Sequence, residues 1–225
     1  MTTSFWTVLQ AIIQKDLQAE LRSRELVATM LLFSLLSVLV FSFALELDRS
    51  AEEQAVSGVL WVTIVFASLL GLNRSMAIES ENASIDALLL APIHRGAIFV
   101  GKLVSNLLFT LAVGVTLLPL MTLLYSINML GGWLWLVLIL GVAGICVTGT
   151  LLATMALQTR APSALLAIVQ LPVVLPILLA SVIATNGIIG QLPMSDWIGW
   201  IQILSAINLI YLVLCFLMFA YIIEE

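Results

Sequence analysis

The chain has 225 residues, of which 62% are hydrophobic and 9% are charged, and its net charge is −5. Soluble domains carry about 25% charged residues, so this composition excludes an ordinary soluble domain. The apolar runs are about 20 residues long and nearly free of charge, which suits helices that cross a hydrocarbon core of about 30 Å. The sequence therefore predicts an all-α polytopic membrane protein, and its acidic balance gives no argument for nucleic acid as a partner.

Residues 1–25 predict an amphipathic helix that lies along the membrane surface. They lack the apolar core and cleavage site of a signal peptide, so the first span is expected to act as its own insertion signal. Asp16, Glu20 and Arg24 fall towards the apolar side of this helix, where unpaired charges are costly. Glu20 and Arg24 could pair with each other. The three residues are interpreted either as part of a solvated anchor helix or as a polar patch for a cytoplasmic partner.

Six apolar segments predict six transmembrane helices, at residues 26–45, 56–72, 103–125, 133–157, 162–185 and 201–223. The fourth segment carries the small residues that allow close helix packing, namely Gly141, Gly144, Thr148 and Gly149. Pro172 and Pro176 predict a kink in the fifth. Residues 186–200 are expected to be irregular, with Trp197 and Trp200 at the interface.

The distribution of cations predicts the orientation. One side of the predicted topology holds seven of the eight lysines and arginines, namely Lys15, Arg22, Arg24, Arg74, Arg95, Lys102 and Arg160. The opposite side holds Arg49. By the positive-inside rule, both termini and residues 73–102 are expected to be cytoplasmic.

Residues 73–106 are the longest polar stretch between apolar segments, so a catalytic or binding site is expected there first. Three features of this stretch bear on such a site. Gly96 to Lys102 has the G-x4-G-K spacing of a phosphate loop, but Leu103 replaces the Ser/Thr and the segment leads into a span. His94 has no second metal ligand nearby in sequence, and the carboxylates form no recognised acid/base set. These residues therefore predict no catalytic, cofactor or metal site.

The same stretch predicts a short helix between the second and third spans. Ser84 can cap it, Asp86 suits its first turn, and Pro92 ends it. Ile85, Leu88 and Leu89 form one apolar face. Such a helix could fit a groove on a partner protein and pass movement to both spans, whereas an ordinary connecting loop is the alternative.

The motifs here resemble those of permeases of the ABC-2 type. They are ESE at residues 79–81, IDALLLAP at 85–92 and RGAIFVGK at 95–102. Two further motifs, KDLQAELRSRE at 15–25 and GLNRS at 71–75, narrow the resemblance to the CcmB family, haem exporter protein B of the cytochrome c maturation system. The resemblance covers essentially the whole chain, although spans five and six match by pattern alone.

This resemblance implies a non-catalytic permease subunit in a bacterial inner membrane. It also implies a separate ATPase subunit, CcmA, with CcmC, CcmD and the haem chaperone CcmE as further partners, and self-association as a permease dimer. ATP and haem would be bound by partners. The implied ATPase-coupling interface comprises Glu79, Glu81, Ser84, Ile85, Asp86, Leu88, Leu89 and Pro92, and the connecting-helix interface comprises Asp16, Glu20 and Arg24. Residues 186–200 would be a re-entrant external region.

Two other functions stay open at this point. One is an ABC-2 exporter of lipid-linked glycan or another amphiphile, and the other is an ATP-independent membrane scaffold. Within the resemblance, ATP-driven rearrangement or chaperone release in a haem-handling complex is preferred to literal haem translocation, because the single histidine is expected in the cytoplasm.

Overall fold

The computed structural model describes residues 5–45, 49–81, 95–157 and 162–222, and every helix or strand within these ranges is an α-helix. The helices are α1 (Phe5–Ser23), α2 (Glu25–Leu45), α3 (Arg49–Glu81), α4 (Arg95–Tyr125), α5 (Gly132–Leu157), α6 (Pro162–Ile189) and α7 (Met194–Ile222). Helices α2 to α7 are each long and apolar enough to cross a membrane. The prediction of an all-α polytopic membrane protein is therefore confirmed.

Several helices extend beyond the predicted spans. Helix α3 is 33 residues long and continues through the polar residues Asn73 and Arg74 to Glu81. Helix α4 begins at Arg95, eight residues before the predicted start of the third span. Hydrophobicity marks where a helix enters the membrane, whereas a helix can continue into water wherever its backbone hydrogen bonds are kept.

Helices α3 and α5 form the centre of the bundle. In each, 72% of the most apolar 18-residue stretch is buried, compared with 22% in α2 and 17% in α7. Helix α5 packs against α3, α4, α6 and α7. The outer helices therefore expose apolar side chains, as expected for surfaces that face lipid.

The glycines of α5 let these helices approach closely, as the small-residue pattern predicted. Gly141 lies against Trp61 of α3, and Gly144 lies against Ile177 of α6. Gly149 lies against Leu72 of α3. A Cβ atom at any of the three positions would collide with the facing side chain, which explains why glycine is required there.

The structure corrects the expected irregular region at residues 186–200. Helix α6 continues to Ile189, and α7 begins at Met194 after a short turn that includes Gln191 with a positive φ of 50°. The Trp197 side chain is 6% exposed, and its ring packs 5.4 Å from that of Trp133. Its position at the membrane interface stays a prediction. The Trp197 side chain packs closely on Gly187, so α6 and α7 contact each other within the stretch that was expected to be irregular.

Side-chain hydrogen bonds fix the neighbouring ends of α3 and α6. Ser57 bonds Asn186, and Trp61 Nε1 donates to Thr185 Oγ1 over 2.9 Å. Helix α6 is continuous through Pro172 and Pro176, and the bend expected at these residues stays a prediction.

Candidate coupling interface

The candidate site lies at the end of the bundle that carries α1, called here the α1 end. It comprises α1, the start of α2, the last turns of α3 and the start of α4. Helix α1 packs on α4 through the buried side chains of Val8, Leu9 and Ile12. This packing places the polar residues of α1 beside the helices that lead into and out of residues 82–94.

An ion pair joins α1 to α4. Lys102 Nζ lies 3.1 Å from both carboxylate oxygens of Asp16, and each side chain is only 12% exposed. Lys15 Nζ lies 3.5 Å from Asp16 as well, but its side chain is 46% exposed. The charge of Asp16 on the inner side of the amphipathic helix is therefore compensated from α4, 86 residues later in the chain.

The joint between α1 and α2 depends on Glu20. Arg24 has a positive φ of 55°, which ends α1 and turns the chain into α2. An arginine side chain cannot accept hydrogen bonds, so it cannot cap the free amides at the start of α2. The Glu20 carboxylate does so instead, accepting bonds from the backbone N–H groups of Leu26 at 3.2 Å and Val27 at 2.9 Å. The expected Glu20–Arg24 pair is thus replaced by a helix cap.

A second ion pair joins α2 to α3. The Arg74 guanidinium donates to the Glu25 carboxylate, between the last turns of α3 and the first turn of α2. Both side chains are more than a third exposed, so this pair alone contributes little stability. Its structural effect is to connect the end of α3 to the same α1–α2 joint.

The Gly96–Lys102 segment is the start of α4 and packs tightly on two sides. Its backbone is helical, so its amides do not form the curled nest of a phosphate loop. Gly101 leaves room for Ile12 of α1, and Gly96 leaves room for Phe216 of α7. The buried Phe99 ring packs 5.1 Å from that of Phe219. Gly96 and Gly101, which have the spacing of a phosphate loop, therefore allow close helix packing.

Comparison with known proteins identifies the family. The family described as CcmB protein matches residues 7–224, which is nearly the whole chain. The chain belongs to the CcmB family. It is 29% identical over 212 residues to a protein named Heme exporter protein B from Bradyrhizobium diazoefficiens, covering 92% of this chain and 93% of the relative. It is 28% identical over 173 residues to the protein of the same name from Rhodobacter capsulatus, covering 76% and 79%.

Most of the predicted ATPase-coupling residues of this CcmB-family chain lie outside the described ranges. This applies to Ser84, Ile85, Asp86, Leu88, Leu89 and Pro92, all between residues 82 and 94. Glu79 and Glu81 belong to the last turn of α3. The helices on either side of residues 82–94 are those that Arg74 joins to α2 and Lys102 joins to α1. The coupling helix itself stays a prediction.

The predicted connecting-helix interface stays a prediction. Asp16 and Glu20 make their contacts inside the chain, and Arg24 forms the joint. The outward face of α1 is a different set of residues around a shallow groove of about 450 Å³, lined by Ala11, Gln14, Lys15, Gln18, Ala19 and Arg22. The predicted site residues did not include this face. Two cations and two amides, spaced at three to four residues, were the available signal.

Proposed function

We propose that the chain is the membrane component of a haem-export system that serves cytochrome c maturation, in a bacterial inner membrane. The family and the names of its relatives support this proposal. The chain would carry no catalytic residues. ATP would be hydrolysed by a separate subunit, CcmA, and haem would be handled with CcmC, CcmD and the chaperone CcmE.

The observation that carries the coupling mechanism is the pair of ionic links at the α1 end. Arg74–Glu25 connects the end of α3 to the start of α2, and Lys102–Asp16 connects the start of α4 to α1. A push on residues 82–94 would therefore reach α1 and α2 as well as α3 and α4. Of the helices that the structure describes, α1, α2, α3 and α4 would move together when an ATPase engages this segment.

The proposed orientation places the α1 end in the cytoplasm, where ATP is available. The seven lysines and arginines assigned to that side support it. The outward groove of α1 presents Lys15 and Arg22, and it would contact the ATPase next to residues 82–92. Self-association as a permease dimer follows from the resemblance to ABC-2 permeases and belongs to the same proposal.

Purification of the assembled complex tests this function. The chain is co-expressed with CcmA, CcmC and CcmD, and ATP hydrolysis and haem absorbance are measured on the complex and on this chain alone. Both signals are expected from the complex and neither from the isolated chain. In parallel, cytochrome c formation is measured in cells whose CcmA binds but cannot hydrolyse ATP. Normal cytochrome c formation in those cells would contradict ATP coupling and favour a scaffold.

A further inference from the structure

Three polar side chains inside the bundle lie directly against glycines of α5. A Cβ atom at Gly141 would lie 2.8 Å from Ser181 Oγ, and one at Gly149 would lie 2.9 Å from Gln170 Nε2. Asn208 of α7 faces Gly144 in the same way. These three polar residues and the glycines they face are called here the polar seam. At 1.5 Å per residue, it extends over about 12 Å of α5.

Most polar atoms of the seam are buried and have no hydrogen-bond partner among the described residues. Gln170 and Ser181 are both 0% exposed. Neither amide atom of Gln170 has a hydrogen-bond partner among the residues that the structure describes, and the same holds for Ser181 Oγ and Asn208 Oδ1. Asn208 uses only its Nδ2, which donates to the Leu140 carbonyl over 2.8 Å. Unpaired polar groups are costly at membrane depth, where no bulk water can compensate them.

The chemistry of the seam is neutral throughout. It offers an amide, a hydroxyl and an amide oxygen, all of which suit hydroxyl, amide or protonated carboxyl groups. The seam residues include no charged side chain, so the seam does not fit an isolated ionised group. Uncharged polar side chains in membrane helices ordinarily form hydrogen bonds across helices, and both amide atoms of Gln170, Ser181 Oγ and Asn208 Oδ1 form none with the residues that the structure describes.

Helix α6 is the less buried side of the seam. It carries both Gln170 and Ser181, and 33% of its most apolar stretch is buried, compared with 72% for α5. Pro172 and Pro176 follow Gln170 within two turns, and each removes one backbone hydrogen bond from the helix. The helix is therefore weakened next to its unpaired amide.

We propose that the polar seam opens between α5 and α6 and binds neutral hydrogen-bonding groups of a ligand, with Gln170 as the main contact. When the seam opens, the ligand supplies hydrogen-bond partners for the Gln170 amide and the Ser181 hydroxyl, which have none among the described residues in the closed packing. This proposal rests on the proposed function, because ATP hydrolysis by the partner subunit drives the opening.

The experiment measures access to Ser181 in the purified complex with CcmA, CcmC and CcmD. Ser181→Cys is introduced after Cys146→Ala and Cys215→Ala, and the thiol is labelled with an uncharged, water-soluble maleimide with and without ATP. We expect ATP to raise the labelling rate about tenfold, as when a minor open state becomes well populated. Ser34→Cys is the control, because Ser34 is equally buried at 1% exposed but lies on α2, away from the seam. Its labelling should not respond to ATP.

ATP hydrolysis is measured on the same sample. If the complex hydrolyses ATP but Ser181→Cys is labelled no faster, the seam does not open and the proposal is overturned. If labelling of Ser34→Cys rises equally, the whole bundle loosens, which also overturns it. A complex in which this chain does not support ATP hydrolysis contradicts the proposed function instead.

Gln170→Leu separates the role of the amide from general packing. It should raise the thermal midpoint and abolish the ATP-dependent labelling of Ser181→Cys, because the closed seam no longer contains an unpaired amide. Gln202→Leu is the matched control, since Gln202 is exposed on α7. It should leave the labelling unchanged. Unchanged ATP-dependent labelling in Gln170→Leu would show that Gln170 does not take part.

Discussion

Lys102 Nζ lies 3.1 Å from Asp16 Oδ2, which fixes the start of α4 to the amphipathic helix α1. Because both side chains are only 12% exposed, the pair is shielded from solvent and cannot separate without leaving a partly buried charge. It is therefore more than a surface contact. It holds α1 against the start of α4.

Asp16→Asn is expected to destabilise the protein by about 2 kcal/mol, between the values for exposed and fully buried pairs. The reason is that the largely buried amine of Lys102 loses the carboxylate that faces it. The measurement is thermal unfolding of the purified protein in detergent, monitored by circular dichroism.

Two further variants make this test specific. The exchange Asp16→Lys with Lys102→Asp should be more stable than the sum of its two single reversals predicts, because the two residues are in contact. Lys15→Gln is the control, because Lys15 also approaches Asp16 but is 46% exposed, and it should have little effect. Equal destabilisation by Lys15→Gln would show that the loss does not arise from the α1–α4 pair.

Glu20→Ala should weaken the start of α2, because it removes the acceptor for the amides of Leu26 and Val27. The expected cost is about 1 kcal/mol, typical of a lost N-cap. Amide hydrogen exchange at Leu26 and Val27 should accelerate about fivefold, which corresponds to that energy. Gln18→Ala, on the outward face of the same helix, is the control and should leave these two rates unchanged.

The α1 end shows what the sequence could and could not predict. The pattern indicated that Asp16 and Glu20 need compensation near the apolar side of the helix, and this is confirmed. Their partners could not be predicted, because Lys102 is brought to Asp16 by tertiary packing. The Glu20 interaction with α2 likewise depends on the positive φ at Arg24, which no residue pattern predicted.

The membrane helices were more predictable than their ends. Apolar runs locate α2 and α5 almost to the residue, since these helices begin and end close to the membrane boundary. Helix α3 was underestimated at both ends because its outer turns are polar and carry no hydrophobic signal. The small residues of α5 predicted close packing but not their partners, which come from α3, α6 and α7.

Gly141→Ala should destabilise the bundle by about 1–3 kcal/mol, because the added methyl group has no space beside Trp61 and Ser181. Gly58→Ala in α3 is the matched control. No atom lies within 4 Å of a Cβ at that position, so alanine should stabilise the helix by about 0.5–1 kcal/mol. Thermal midpoints of the two variants should therefore move in opposite directions. A common direction would contradict the close packing at Gly141.

Ser84→Cys should be labelled by a membrane-impermeant maleimide only from the cytoplasmic side, in a background without Cys146 and Cys215. The positive-inside distribution is the reason. Ser126→Cys, which follows the other end of α4, should be labelled only from the opposite side. Intact spheroplasts and inverted vesicles supply the two sides. Labelling of Ser84→Cys from the outside alone would reverse the proposed orientation.

The most direct test of the account is ATP turnover by the complex after charge reversal in the coupling region. Glu81→Lys combined with Asp86→Lys is compared with Glu53→Lys, which makes the same kind of change near the start of α3, at the opposite end of that helix. We predict that the double reversal reduces turnover to that of CcmA alone, while the amount of protein in the membrane and the turnover of the Glu53→Lys complex stay normal. Wild-type turnover in the double reversal would contradict the claim that residues 79–92 transmit the work of a separate ATPase.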